Sequence, residues 1–254
     1  SHAGEAVHLE TILSILKKTG YSEEDLIMLP AYPAPPALRD EMVRKGLPPR
    51  KALHNCSGKH LSAMLLSEYL TGGHKNYWQP DSAAQKCIME TIADLSEYPA
   101  DQIQVGIDGC GVPVFAVPLK NIALSWLKLA CPDLIPRSAA REAVIKITGL
   151  MHKYPVMVRG TGYLCSIMNE DPNIVAKGGA KGVYGFGLVR ERLGVAIKVE
   201  DGAEEPWPVV IAEILRQLGY DNHDTIHKLE TLCPGEVLND NGTVTGRTEP
   251  CFRL

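Results

Sequence analysis

The chain has 254 residues, 45% of them hydrophobic, and carries 26 lysines and arginines against 30 aspartates and glutamates, a formal net charge of −4. That length is enough to bury a substantial core, and one domain over residues 1–254 is expected. The mild acidity excludes a basic field for nucleic acid or an anionic membrane, and no apolar run approaches the roughly 18 residues of a spanning helix, so the expected partner is a small molecule.

The first third reads as helical. Val7, Ile12, Leu13, Ile15 and Leu16 form an apolar stripe ending at Gly20, a natural C-cap. Ser22 opens "SEEDLIML", with Asp25 placed for a capping box. The proline-rich "LPAYPAPPAL" predicts an extended connector leading to a charged helix, "LRDEMVRKG". A helix follows "CSGKH" through Leu61, Met64, Leu65 and Tyr69 to Gly72 and Gly73. Another starts near Asp81 and Ser82 and runs through Ile88, Ile92 and Leu95. "VGIDGCGVPVFAVPL" has too many glycines and prolines for a helix and reads as buried loop and strand.

Two helices follow, "LKNIALSWLKLA" and "SAAREAVIKITGLMHKY". "NIVAKGG", "GVYGFGLV" and "LGVAIKVED" are then short β-rich runs with very short connections, which predicts consecutive antiparallel strands. A helix, "WPVVIAEILRQLG", and a tight Asn-Gly turn in "LNDNGTVTGR" close the chain. The expected class is α/β (α+β), with a helical lobe packed on an antiparallel sheet. The seven cysteines are odd in number and lack disulfide-framework spacing, and no signal peptide precedes them. A cytoplasmic, reducing setting is expected. Because residue 1 is a serine, the chain is expected to begin partway into a longer product.

The chemistry gathers at three places. In "CSGKH", Cys56 and His60 would share a helix face with Lys59 beside them. Thiolate and imidazole suit zinc, but a structural zinc site wants more donors. Cys110 in "DGCGVP" is the candidate third ligand, since its flanking glycines permit close approach and Asp108 could orient or neutralise the neighbourhood. Spacing leaves other readings open: buried free cysteines, an anion cradle at Ser57-Gly58-Lys59, or a Cys56/His60 nucleophilic pair. Lys177 stands in a Lys-x-Gly pattern near a strand end, which suits a serine-lysine hydrolase, although on its own Lys-Gly-Gly is more often a plain hairpin fragment. Ser1 admits a self-processing amidase or an arbitrary chain boundary. His54, His74, His152, His223 and His227 show no sequence partners and are expected to be surface or core residues.

"SHAGE", "HNCSGKH", "DGCGVPVFAVPL", "GTG" at Gly160 to Gly162, "KGGAKGV" and "VEDG" at Val199 to Gly202 occur in one order. In these motifs, from Ser1 to the C-terminal "GRTEP", the chain resembles the Rhizobium etli type of L-asparaginase, the thermolabile asparaginase II family. The resemblance implies a serine β-lactamase or glutaminase-like fold, a homodimer, and hydrolysis of L-asparagine to L-aspartate and ammonia. It implies zinc held by Cys56, Lys59 and Cys110 with water, and His60 and Asp108 adjacent. Ser1 and Lys177 would form one serine-lysine pair. The family's Ser-x-x-Lys motif, source of the nucleophile, lies upstream of "SHxGE", so the chain is expected to lack its N-terminal part. A non-catalytic metal-binding or small-ligand-binding remnant is the alternative. Three motifs depart from the family pattern: His54 replaces one of two asparagines before the cysteine, Lys181 replaces a glutamate, and Tyr163 and Cys165 replace an arginine and an aspartate.

Overall fold

A computed structural model describes residues 2–254. They divide into two units, one of residues up to Ser125 with Val156–Gly160, the other of Trp126–Pro155 with Thr161–Leu254. In the first unit, α1 (Ala6–Thr19) buries His8, Ile12 and Leu16. Val7 faces outward, so the apolar stripe is narrower than its composition suggests. The helix stops at Gly20, which takes φ 76° and returns its N–H to the Leu16 and Lys17 carbonyls. A side chain in that left-handed conformation would cost about 1–2 kcal/mol.

Ser22 and Asp25 do form a capping box, but it closes a single 3-10 turn, Glu23–Asp25, and not a helix, because Leu26 is already extended. Next come α2 (Pro36–Arg44), α3 (Ser57–Thr71) and α4 (Ala83–Ser96). Ser82 caps α4 by accepting the Gln85 N–H at 3.3 Å. β1 (Gln104–Ile107) and β2 (Pro113–Ala116) form an antiparallel hairpin in register from Gln104↔Ala116 to Ile107↔Pro113. The expectation of buried strand is corrected here: every residue of β1 is exposed, since it has only β2 beside it. Burial falls on Pro113 of β2 and on the hairpin tip, where Cys110 and Val112 join Ile12, Leu16, Leu26, Met28, Cys56, Met64 and Tyr77 in one core.

Beyond the hairpin run α5 (Leu119–Ala130), α6 (Ser138–Lys153), the short α7 (Pro155–Val158) and α8 (Leu164–Glu170). In the second unit β3 (Ile174–Gly178), β4 (Val183–Leu188) and β5 (Leu193–Lys198) form an antiparallel sheet in the order β3-β4-β5. The period of two in "YGFGL" explains how helix and sheet meet. Tyr184, Phe186 and Leu188 are fully buried on one face. Gly185 and Gly187 lie on the other, where a Cβ would collide with the Trp126 indole and the Trp126 carbonyl. α9 (Trp207–Gln217), α10 (His223–Leu232) and a hairpin of β6 (Glu236–Leu238) and β7 (Val244–Arg247) complete the chain. Helices with small antiparallel sheets make the α/β (α+β) class expected. No helix of the described residues is long and apolar enough to cross a membrane.

Candidate metal centre

Cys56 is placed by a turn that its neighbours hold. The His54 ring accepts the Cys56 N–H through Nδ1 at 3.0 Å, and the His54 carbonyl accepts the Ser57 N–H at 2.9 Å. Cys56 then serves as N-cap of α3, and its carbonyl receives the His60 N–H at 3.0 Å. The second half of the centre is the hairpin tip. Asp108 and Val112 close it through a 2.8 Å backbone hydrogen bond, and Gly111 turns the chain at φ 94°. The left-handed φ is what favours glycine at 111; a Cβ there would also come within 2.9 Å of the Ile27 side-chain tip, which could swing aside.

These two pieces bring together the Cys56 sulfur, the Cys110 sulfur and a carboxylate oxygen of Asp108, all within 4.8 Å of one another. Lys59 completes the cluster, donating from Nζ to Asp108 Oδ2 at 2.7 Å. The Cys110 thiol shares that oxygen at 3.4 Å. Two sulfurs, an amine and a carboxylate fit a borderline-soft cation such as zinc, whose tetrahedral shell places sulfurs at about 2.3 Å. Both sulfurs are nearly buried, so they pack with the core around Met64 and Tyr77.

Electrostatics keeps protons in this cluster. Burial pushes the Cys56 thiol upward, and the nearby Cys110 adds to the rise against the opposing charge of Lys59. Burial alone would pull Lys59 down, but its hydrogen bond to Asp108 and the two sulfurs outweigh it and hold the ammonium. Burial likewise works against the Asp108 carboxylate, and the Lys59 and Gly109 donors bring it below its ordinary range. A ligating cation therefore displaces protons from Cys56 and Lys59.

His60 is not in the donor group. Its ring is fully buried and turned toward Tyr77, whose hydroxyl lies 2.8 Å from Nδ1 and accepts the Ile27 N–H at 3.2 Å. Burial, with Lys59 and His54, lowers the His60 pKa to about 4. Histidines whose partners the sequence does not show have them in the fold: His54 as above, His74 with Asp25 at 3.3 Å, His152 with the Ile174 carbonyl at 2.8 Å, and His227 beside Glu230 at 3.9 Å.

Lys177 lies in the second unit, half-buried on β3, with Nζ donating to the Gly178 carbonyl at 2.5 Å. Beside it, Cys165 accepts the Gly178 N–H at 3.1 Å. Lys181 is exposed in the left-handed turn between β3 and β4. Ser1 lies outside the described residues. The sequence offers Ser57 only as part of an anion cradle and gives His2 no role, yet their side chains meet at 2.7 Å, fully and almost fully buried. A serine in the first turn of a helix carries no signal that its partner is 55 positions away.

A family model described as L-asparaginase II matches residues 1–250. The chain belongs to the L-asparaginase II family. No curated protein matches it. Membership makes this protein an amidohydrolase acting on a small molecule. Both halves of the centre, "HNCSGKH" and "DGCG", lie inside the matched span of this L-asparaginase II family chain.

Proposed function

We propose that this chain is a zinc-associated L-asparaginase of the Rhizobium etli type, hydrolysing L-asparagine to L-aspartate and ammonia, and that it works as a cytoplasmic homodimer with a β-lactamase-like fold over 1–254. The observation that carries the reading is the meeting of Cys56 and Cys110 with Lys59 and Asp108 in a chain of this family. Sulfurs so distant in sequence, clustered with an amine and a carboxylate, support reading them as a donor set over two core cysteines.

In the reaction a serine oxygen adds to the side-chain amide carbon, a lysine takes the serine proton and passes it to the departing nitrogen, and ammonia leaves. Water then cleaves the ester and releases aspartate. Hydrogen-bond donors stabilise the oxyanion in both halves. The attacking serine is that of the family's Ser-x-x-Lys motif, and Ser1 and Lys177 relay protons or position it. The Lys177 contact with Gly178 holds the amine at the end of β3. Cys56, Lys59 and Cys110 would hold the zinc, with Asp108 on Lys59 and His60 turned toward Tyr77. Bound zinc supplies a fixed positive charge that orders the pocket and the polar groups of the substrate.

The test pairs ammonia release from L-asparagine with metal analysis of the wild type and Cys110→Ser. The expected result is one zinc per chain, lost in the variant. Unchanged zinc in Cys110→Ser rejects the ligand assignment. Zinc uptake without ammonia release would make the protein a binding remnant.

A further inference from the structure

Helix α6 has two apolar sides, and the fold of the second unit uses one of them. Val144 and Thr148 are buried, while Ala139, Ala143, Ile147, Leu150 and Tyr154 are exposed. Ile147 is 54% exposed, Leu150 46% and Tyr154 49%. With one residue turning the helix by about 100°, these five fall inside a strip about 80° wide, well away from the Val144 side. Their steps of four, four, three and four residues are the spacing of seam positions in paired helices. Single apolar residues are ordinary on a surface, whereas a continuous strip with seam spacing marks a face that another helix covers.

The strip is graded in size. Ala139 and Ala143 lie toward its N-terminal end and the Tyr154 ring closes its C-terminal end. Laid antiparallel on a second copy, it is its own complement. About a midpoint between Thr148 and Gly149, Ile147 faces Leu150 of the partner subunit and Ala143 faces Tyr154 of the partner subunit, so the largest group meets a small one. A parallel arrangement would set ring on ring at one end and leave a void between alanines at the other.

Charge agrees with shape. One border of the strip carries Glu142, Lys146 and Lys153, all exposed. Like borders adjoin in an antiparallel pair of copies, which brings Glu142 beside Lys153 of the partner subunit, and the two-fold axis repeats the pair. The Lys153 ammonium already lies over the Tyr154 ring, 5.2 Å from its centre, so the cation is held at the edge of the strip.

We propose that α6 is the seat of a two-fold contact between copies of this chain, packed antiparallel along Ala143, Ile147, Leu150 and Tyr154 and bordered by Glu142–Lys153 ion pairs. The contact rests on the homodimer reading above and gives that homodimer its surface.

Sedimentation equilibrium of the whole chain measures the dimer dissociation constant. Leu150→Glu places an unpaired carboxylate from each copy in the seam and is expected to weaken the dimer about 100-fold or more. Glu142→Lys and Lys153→Glu each set like charges together and are expected to weaken it about tenfold, whereas the double variant exchanges the signs and is expected to return within about twofold of wild type. Gly149→Ala, on the same helix but off the strip, is expected to leave association unchanged. Far-UV circular dichroism shows whether each variant is folded, and if Leu150→Glu is not, the charge variants decide. Reversals that leave the constant unchanged, or a double variant that stays weak, overturn the α6 contact and leave the homodimer to another surface. A wild type that remains monomeric at every concentration overturns the contact and the homodimer together.

Discussion

Lys59 and Asp108 form an ion pair of 2.7 Å, and the carboxylate oxygen that receives Lys59 is also the one that receives the Cys110 thiol. A single atom thereby links the amine from α3 to the sulfur at the β1–β2 tip. Asp108→Asn keeps the shape and removes the charge, and zinc affinity is expected to fall by about 10–100-fold. Chelator competition at fixed pH measures it. An affinity equal to wild type would mean that Asp108 only parks Lys59 and contributes nothing to the metal.

Acid should weaken the first unit through His2. Burial, followed by the charges of His8, Arg159 and His54 around it, lowers its pKa from 6.5 to about 4. Between these values the unfolded chain takes up a proton that the folded one refuses. Stability is therefore complete above pH 6.5, declines as pH falls toward 4, and loses nothing further from this group below that. The loss is on the order of a few kcal/mol at most. Urea titrations at several pH values on wild type and His2→Gln read it as a difference in slope. Parallel curves would assign the acid sensitivity elsewhere.

Packing on β4 makes a sharper test. Gly185→Ala and Gly187→Ala drive a methyl into Trp126, and each is expected to lose about 1–3 kcal/mol. Gly149, inside α6, has open space where its Cβ would be. Gly149→Ala is therefore expected to gain about 0.5–1 kcal/mol from helix propensity. Thermal melts of the three variants suffice. Equal effects in all three would show that Trp126 does not lie against these glycines.

Much of this was legible in the chain, and the failures have physical causes. Gly20, Ser82 and the alternation in "YGFGL" carried local rules that tertiary structure left intact. The donor set was half legible, since glycines around Cys110 announced a close approach. His60 misled for a geometric reason: one helical residue turns the side chain by about 100°, so Lys59 can face Asp108 while His60 faces Tyr77. α10 was missed because its buried face is only Thr225, Ile226 and Leu229 among charged residues. The His2–Ser57 contact was invisible because nothing in either local pattern points to the other.

Asp171 should be the most damaging single change in the second unit. Only 5% exposed, its Oδ2 accepts from the Tyr220 hydroxyl at 2.7 Å, Asn222 at 2.9 Å and the Thr225 hydroxyl at 2.8 Å, while Oδ1 accepts the Asn173 N–H at 3.0 Å. The carboxylate thus ties the link between α9 and α10 to the turn before β3. Asp171→Ala strands four donors where water has poor access, and about 3 kcal/mol or more should be lost. Tyr220→Phe removes one donor and leaves the rest of the network satisfied, so about 1 kcal/mol is expected. Chemical denaturation gives both values, and amide exchange shows where the loss falls: protection should drop first in α10. A loss under about 0.5 kcal/mol for Asp171→Ala would mean that solvent replaces the network, and that α10 is held by Ile226 and Leu229 alone.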